Sequence, residues 1–326
     1  MERCGYSPNE VCNDADHARI RRLLSHAFSE SALRRQEPLI NKYLDLLIHK
    51  LQDRAPATIN IVRWYNFTTF DIIGDLTFAE HFGALRDEEY HVWIANIFKG
   101  LNMIQRHNDE KGMTRDEITR TSGTLIIAGS ETSATLLSGV TYLLLRGPEA
   151  LEKLKTEIRT TFREPRDITF QALASLLYLN ACIQEALRMY PPVPGVLPRR
   201  VEAGGVIING YYLPEGTSVG VHQWSINRSS KIFTRPDDFI PERWLGNAGF
   251  VHDNAAALQP FSVGPRNCLG QHLAWAEMRA ILARMIWHFD LELCEDSLDW
   301  MEQKVFIFWE KPALNVKLQL RDFERE

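Results

Sequence analysis

The sequence predicts a mainly helical chain of the α+β class, with short strands late in the chain. Apolar residues recur at helical spacing through the first two thirds of the 326 residues. Strand-forming runs and turn signals are concentrated after residue 205. Helices followed by clustered strands are typical of α+β chains. The chain has no internal repeat, low-complexity tract or flexible linker, so we expect one domain over 1–326.

Four helices are predicted before residue 106, at 16–34, 37–53, 58–80 and 88–105. The first has acidic residues at its start and apolar residues at helical spacing. The third places six apolar or small residues on one face: Ile61, Trp64, Tyr65, Thr68, Ile72 and Leu76.

The best-marked helix begins at Thr114, because Thr114 and Glu117 have the spacing of a capping box. It is expected to end after Arg146, where Gly147 stops it and Pro148 opens the next helix. At 1.5 Å per residue this helix is roughly 46 Å long, enough to cross a domain. A membrane span over 121–145 is the alternative, but the central Glu131 and many hydroxyl-bearing residues favour a long buried helix.

The later elements are bounded by turn and breaker residues. A helix at 170–190 is stopped by Pro191 and Pro192, and Asn209-Gly210 marks a hairpin between 206–208 and 211–213. Another strand is predicted at 217–221, followed by irregular chain over 225–267. An amphipathic helix starts just after Cys268 and runs to about 288, and the tail carries strands at 305–309 and 314–320.

Composition and charge exclude several classes of function. The chain is 45% hydrophobic, enough for a sizeable core, and its formal net charge is −5. It has no basic stripe, so a nucleic-acid partner is not expected. The five cysteines are scattered and odd in number, which excludes a disulfide framework and indicates a reducing compartment. Four of them are interpreted as structural: Cys4, Cys12, Cys182 and Cys294.

The fifth cysteine, Cys268, lies in a loop that leads into a helix. A helix N-terminus offers free N–H groups and partial positive charge, which are expected to lower the pKa of the Cys268 thiol. Gly264 and Gly270 permit tight turning and close approach of a flat ligand, and Arg266 is placed to meet an anion on it. From the residues alone a haem ligand, a nucleophile with His272 one turn on, and a buried structural cysteine all stay open.

The whole segment 261–270 matches F-x-x-G-x-R-x-C-x-G, which resembles the haem-binding signature of the cytochrome P450 family. The resemblance implies haem b between the long central helix and this loop, with the Cys268 thiolate as the axial iron ligand. Such a thiolate favours O–O cleavage. It also implies that Phe261, Gly264, Arg266 and Gly270 surround the haem.

Two further motifs in the expected order resemble the same family. Glu185 and Arg188 form E-x-x-R on a helix, and Arg243 lies in P-E-R-W, 25 residues before the cysteine. An isolated E-x-x-R is usually an exposed ion pair. The resemblance implies instead a buried structural triad of Glu185, Arg188 and Arg243.

The segment A-G-x-E-T at 128–132 resembles the family's oxygen-binding segment. Without the resemblance it is a Ser/Thr-lined packing face, and Gly129 weakens a helix by ~1 kcal/mol relative to Ala. The resemblance implies that Gly129 makes room for dioxygen, while Glu131 and Thr132 relay protons through water.

Haem carries two propionates, so basic residues are expected to converge on it. The resemblance implies Arg266 and Arg200 for this role, with Arg199 as the alternative to Arg200. In the first helix, His17 and Arg21 resemble the family's W-x-x-x-R, with His in place of Trp.

The resemblance also implies partners and a substrate class. Electrons come from NADPH through NADPH-cytochrome P450 reductase, and the family is associated with the endoplasmic-reticulum membrane, facing the cytosol. We find no membrane anchor in the sequence, so the chain as written is expected to be cytosolic or peripheral. The stretch 106–114 and the cysteine loop most resemble filamentous-fungal monooxygenases that oxidise terpenoids or polyketides. An apolar pocket for a lipophilic molecule is expected from Leu125, Ala128, Val193, Val196, Leu197 and 306–308.

The chain is short for this family. Segments expected before residue 14, and between the 88–105 helix and Thr114, are missing, so 1–113 is interpreted as an incomplete helical part and 114–326 as the haem-binding core. Two hypotheses follow. One is an active monooxygenase that hydroxylates or epoxidises its substrate; the other is a non-catalytic haem-binding remnant, or a chain translated from an incorrectly delimited gene.

Overall fold

The computed structural model describes residues 13–89 and 112–322. Helices predominate, and the 3-10 turns between them include Pro241–Trp244. The α-helices in these ranges are α1 (Asp14–Ser25), α2 (Glu30–Gln52), α3 (Ile61–Phe78), α4 (Ala84–Asp87), α5 (Arg115–Arg146), α6 (Pro148–Thr161), α7 (Phe170–Ala174), α8 (Leu177–Met189), α9 (Gln223–Asn227) and α10 (Gln271–His288).

Within these same ranges the strands form three small antiparallel sheets. They are β1 (Ala57–Asn60), β2 (Arg199–Arg200), β3 (Val206–Ile208), β4 (Tyr211–Leu213), β5 (Ser218–Val219), β6 (Phe289–Leu293) and β7 (Asn315–Leu320). β7 is the central strand of the largest sheet, with β1 on one side and β6 on the other. β2 pairs with β5, and β3 pairs with β4. The observed class is the predicted mainly helical one.

The core is built around α3 and α5, which pack closely along each other. α3 is buried on nearly all sides, and α5 is buried without interruption from Ser133 to Leu144. α10 packs against α2 and α5 from the other direction. Across 13–89 and 112–322, no helix combines the length and hydropathy that crossing a membrane requires.

Elements marked by local signals lie where the sequence predicts them. The Thr114 side chain accepts from the Glu117 amide and the Glu117 side chain accepts from the Thr114 amide, so the capping box is formed. α5 ends at Gly147, and Pro148 begins α6. In the hairpin, Asn209 and Gly210 have φ of +50° and +83°, as a tight turn of this type requires.

Several predicted elements are wrong in extent, and the strand predicted at 217–221 is limited to β5 (Ser218–Val219). The helix at 16–34 is interrupted before Ser29, whose hydroxyl caps α2 by accepting from the Ala32 amide. The helix at 58–80 begins as strand β1, because its first residues pair with β7. The helix at 170–190 breaks between α7 and α8. In the tail, 305–309 forms only an isolated bridge between Val305 and Trp309.

Several sequence predictions fall on residues that the structure leaves undescribed. The predicted helix at 88–105 lies outside the described residues after its first two positions. Cys4, Cys12 and most of the stretch 106–114 also lie outside them.

Candidate functional site

The cysteine loop is shaped by two backbone hydrogen bonds. The Cys268 amide donates to the Phe261 carbonyl at 2.8 Å, and the Asn267 amide donates to the Gly264 carbonyl at 3.0 Å. Gly264 has φ of +80°, a conformation that favours glycine, and a Cβ there would meet open space. Phe261 packs its ring against Trp275 of α10. The loop therefore places Cys268 immediately before α10, on the solvent-exposed side of the loop.

Cys268 is an exposed residue with an unusual thiol environment. The Gly270 amide donates a hydrogen bond to its sulfur and Arg21 lies near enough to act on it, and both lower its pKa. Desolvation of the sulfur is larger and raises the pKa of Cys268 above its ordinary value. The expected net lowering of the thiol pKa is therefore wrong, because desolvation outweighs the helix terminus.

This environment separates the three readings of the cysteine. A nucleophilic cysteine needs a lowered pKa or an adjacent base. His272 has its Nδ1 3.7 Å from Glu30 Oε1, so it faces α2 instead. A structural cysteine is buried, as Cys182 is at 0% exposure. Cys268 is an exposed residue without a lowered pKa or an adjacent base, so a metal ligand fits it best, since coordination to a metal deprotonates the thiol outright.

Near the middle of α5, the residues change from solvent-exposed to buried within one turn of the helix. Thr124, Ile127 and Ala128 are exposed, and Glu131 and Thr132 are partly exposed, although the helix runs through the core. Residues spaced three and four apart share one face of a helix. This open stripe ends at Ser133, where continuous burial begins. The A-G-x-E-T segment thus lies at the inner end of an uncovered helix face.

Hydroxyl groups in this segment bond back along the helix. Thr132 Oγ1 donates to the Ala128 carbonyl at 2.6 Å and Ser130 Oγ donates to the Ile126 carbonyl at 2.7 Å, while α5 remains one continuous helix. A Cβ on Gly129 would come 2.6 Å from Ile73 Cγ1 of α3. The glycine therefore permits close packing of α3 on α5, and the space for dioxygen that the resemblance implies at Gly129 stays a prediction.

A buried hydrogen bond links this segment to the cysteine helix. Ser133 Oγ donates to Glu277 Oε2 at 2.9 Å, and both residues are almost fully buried. Glu277 lies in α10, about 9 Å along the helix axis from its first residue, Gln271. Ser133, the neighbour of Thr132, is therefore hydrogen-bonded to α10, the helix that follows Cys268.

Glu185, Arg188 and Arg243 meet in one buried cluster. Arg188 donates to both carboxylate oxygens of Glu185, from Nε at 3.0 Å and from Nη2 at 2.8 Å. Arg243 Nε donates to Glu185 Oε2 at 3.3 Å. Glu185 and Arg188 are 0% exposed, so this is not the surface ion pair that an isolated E-x-x-R usually forms.

The same cluster contains two residues that sequence reasoning missed. Arg243 Nη1 donates to Asp253, and Trp244 Nε1 donates to Glu185 Oε2 at 2.9 Å. With Asp253 included, the cluster contains two carboxylates and two guanidinium groups, so its formal charges cancel. Desolvated charges need such compensation. Asp253 belongs to no motif and lies in irregular chain, so no sequence signal marks it.

Basic residues surround the cysteine loop. Arg21 donates from both terminal nitrogens to Asn267, at 2.7 Å to the carbonyl and 2.5 Å to Oδ1. Arg266 Nη2 donates to Asp14 at 2.7 Å. Burial lowers the pKa of His17, and the nearby Arg266 and Arg21 charges lower it further. The structure thus brings His17, Arg21 and Arg266 together beside the loop.

Of the two consecutive arginines in β2, only Arg199 reaches the loop in the described chain. Arg199 Nη2 donates to Ser262 Oγ at 3.3 Å. The side chain of Arg200, the residue favoured from the sequence, is exposed and makes no hydrogen bond within 13–89 and 112–322, although the Arg200 backbone pairs with Ser218 of β5. Successive strand residues point to opposite faces, so both side chains cannot serve the same side of the loop.

The apolar residues expected to line a pocket are not packed into the core. They are all at least partly exposed, and Phe306 and Ile307 reach 73%. A cavity of about 110 Å³ lies between the helices, and its lining includes Leu24 of α1, Leu125 of α5 and Leu273 of α10. Contiguous uncovered apolar surface is typical of sites that bind ligands, partner proteins or membranes.

Comparison with known proteins supplies the family. The pattern of the family described as Cytochrome P450 matches residues 10–108 and 98–317. The chain belongs to the cytochrome P450 family. It is accordingly a cytochrome P450 monooxygenase, an oxidoreductase.

Several fungal relatives are similar over most of the chain. Cytochrome P450 monooxygenase astJ of Aspergillus oryzae is 41% identical over an alignment of 376 positions, covering 96% of this chain and 75% of that protein. Averantin hydroxylase of Dothistroma septosporum is 41% identical, covering 97% and 72%. Cytochrome P450 monooxygenase lcsI of Purpureocillium lilacinum is 40% identical, covering 93% and 70%.

These alignments also show that the chain differs internally from its relatives. The alignment with the Aspergillus oryzae protein is longer than the 326 residues of this chain, so that relative carries residues within it that this chain lacks. The family pattern matches in two pieces that meet at residues 98–108. Both findings agree with the segment expected to be missing before Thr114.

The residues present fit the haem that the family implies. An exposed cysteine residue, the basic side chains of three arginines beside its loop, and an open stripe on α5 tied to the same helix suit a flat, doubly anionic ligand. Cys268 would hold the iron, and Arg21, Arg199 and Arg266 lie where they can receive the propionates.

Proposed function

We propose that the chain is a haem-thiolate monooxygenase that inserts one oxygen atom of O2 into a lipophilic small molecule, by hydroxylation or epoxidation. One observation carries the proposal, the connection between the cysteine loop and the central helix. Cys268 is exposed immediately before α10, and Glu277 of α10 accepts a hydrogen bond from Ser133, the residue after Thr132. When bound, haem supplies the activation of dioxygen, with electrons from NADPH through NADPH-cytochrome P450 reductase.

The chain's own residues then have separate tasks. Arg21 fixes Asn267, and with it the backbone that leads into Cys268. The cluster of Glu185, Arg188, Arg243 and Asp253 holds the irregular chain that precedes the cysteine loop. Glu131 and Thr132 would relay protons from solvent, through water, to the site where haem activates dioxygen.

The substrate is proposed to be a secondary metabolite of the terpenoid or polyketide kind. The uncovered side chains of Val196, Leu197, Phe306 and Ile307 suit an apolar molecule of medium size. One relative is named as a hydroxylase of averantin, which supports hydroxylation as the reaction. The family's association with the cytosolic face of the endoplasmic reticulum is part of the same proposal.

The test is incorporation of isotopically labelled dioxygen. The haem-loaded chain, reductase and NADPH are incubated with a panel of terpenoids and aromatic polyketides, and products are analysed by mass spectrometry. One labelled oxygen atom per product molecule is expected, and Thr132→Ala should lower product formation by about 10²-fold. Thr156→Ala is the matched control and should be neutral, because Thr156 is an exposed threonine of α6 that makes the same bond to the carbonyl four residues earlier. Absence of labelled product across the panel, with haem bound, would count against catalysis.

The second candidate is a non-catalytic haem-binding remnant or an incorrectly delimited gene product. The two-piece family match at 98–108 favours it. Transcript sequencing across codons 95–115 separates the two: an additional exon there means that the longer chain is the enzyme, and its absence leaves the present chain as the protein to assay.

A further inference from the structure

Lys311 is a buried cation outside every motif described above. Its side chain is 4% exposed, in the segment between Trp309 and β7. Its ammonium group donates to Glu131 Oε1 and, at 2.7 Å, to Thr135 Oγ1. Burying an ammonium is costly unless it is paired and hydrogen-bonded. Both partners of Lys311 lie on α5, one turn apart, and one of them is the acid beside Thr132.

The contacts fix one oxygen of Glu131 and leave the other available. Oε1 accepts from Lys311 and from Thr135 Oγ1, the latter at 3.3 Å. Oε2 accepts no hydrogen bond from residues 13–89 and 112–322, and the Glu131 side chain is 31% exposed. A carboxylate held in this way has a defined orientation, with one oxygen open to water.

The backbone that carries Lys311 is fixed by other contacts. Trp309 Nε1 donates to the Pro191 carbonyl at 2.8 Å, and its ring stacks on Tyr190 with centroids 4.6 Å apart. Tyr190 in turn fills the space beside Gly139 of α5. Trp300 Nε1 donates to the Pro312 carbonyl at 3.1 Å. Lys311 is therefore presented to Glu131 from a rigid support that does not depend on Glu131.

We propose that Lys311 is a positioning residue, which holds Glu131 Oε1 so that Oε2 can exchange protons with water beside Thr132. The proposal rests on the function proposed above for Glu131. It adds a residue 180 positions away in sequence, carried by the same tail segment as the exposed Phe306 and Ile307.

The ion pair itself is tested in the apo chain, without haem. Urea unfolding is measured for the starting protein, Lys311→Met, Glu131→Gln and the double variant. A contact as buried as this one should give a coupling of at least tenfold in the unfolding equilibrium constant. Lys317→Met is the matched control, because Lys317 forms an exposed pair with Glu292 at 2.7 Å and should change the constant little. Additive effects of the two variants would overturn the proposal.

The positioning role is tested by comparing two oxidants in the haem-loaded chain. With NADPH, reductase and O2, protons must be delivered to the reacting oxygen; hydrogen peroxide already carries two electrons and two protons. Lys311→Met should therefore lose about tenfold in NADPH oxidation per haem and stay within about twofold in peroxide-driven oxidation of an alkoxycoumarin probe. Lys311→Arg keeps the charge and should recover part of the loss.

The outcomes separate the two proposals. Equal loss with both oxidants would mean that Lys311 only supports the structure, and no loss with NADPH would mean that it does not act through Glu131; either result overturns the positioning role. If the starting protein lacks the thiolate-type CO spectrum and oxidises nothing, the proposed function fails. That result also removes the role of Lys311, whereas the apo measurement still decides whether the pair exists.

Discussion

Replacement of Glu277 by Gln should change how the stability of the apo chain depends on pH. Glu277 is 1% exposed in α10, accepts from Ser133 through Oε2, and has no partner for Oε1 among the described residues. This burial raises the pKa of Glu277 to about 8, from 4.5. Gln keeps the shape and the capacity to accept from Ser133, but it cannot ionise.

The sign follows from where the proton is held. Between pH 4.5 and 8 the folded chain keeps the Glu277 proton and the unfolded chain has lost it, so unfolding is favoured as pH rises. The slope is about 1.4 kcal/mol of unfolding free energy per pH unit. His288 has the opposite slope, because burial lowers its pKa to about 4 from 6.5, but that contribution lies mainly below pH 6.5.

The measurement is urea unfolding at pH 6.5, 7.0 and 7.5 with a reductant present. Over this one unit the starting protein should lose about 1.4 kcal/mol more than Glu277→Gln does. Glu149→Gln, at an exposed position of α6, is the control and should keep the slope of the starting protein. Equal slopes for the starting protein and Glu277→Gln would refute the assignment of a buried, protonated carboxyl to Glu277.

Three further predictions concern the cluster, the central helix and the loop. Arg243→Ala should lower the free energy of unfolding by about 3–5 kcal/mol, because it leaves the buried carboxylates of Glu185 and Asp253 without this cation. Arg235→Ala at the surface should lower it only slightly, and similar losses in the two variants would contradict the prediction. Gly129→Ala should cost about 1–3 kcal/mol by contact with Ile73, with partial recovery in Gly129→Ala/Ile73→Val; no cost would place α3 farther from α5. Arg199→Ala should weaken haem binding about tenfold in a haem titration and Arg200→Ala should not; the reverse order would favour Arg200 as the propionate ligand.

Sequence reasoning succeeds where the signal is local. The start of α5 at Thr114, its end at Gly147 and the hairpin at Asn209-Gly210 each depend on a few adjacent residues, and all three lie where predicted. It fails at β1, because residues 57–60 pair with a strand more than 250 residues later. A helical pattern alone cannot report such a distant partner.

For the candidate site too, the sequence predicts the residues that belong to local motifs and misses their distant partners. Motifs mark the residues of the predicted structural triad, and the structure places Glu185, Arg188 and Arg243 in one cluster. Their supporting partners carry no fixed spacing: Asp253, Glu277 and Lys311 each contact a motif from a distant element. The preference for Arg199 over Arg200 depends on which face of β2 meets the loop, and that too is set by tertiary pairing.

The central claim is that Cys268 holds the haem iron, and the reduced, CO-bound absorption spectrum tests it most directly. The spectrum is recorded for the haem-supplied chain, for Cys268→Ala and for Cys182→Ala, the buried cysteine of α8. We expect the thiolate-type Soret band in the starting protein and in folded Cys182→Ala, and its complete loss in Cys268→Ala. A thiolate-type band that survives in Cys268→Ala, or that disappears equally in both variants, would contradict the assignment of Cys268 as the ligand.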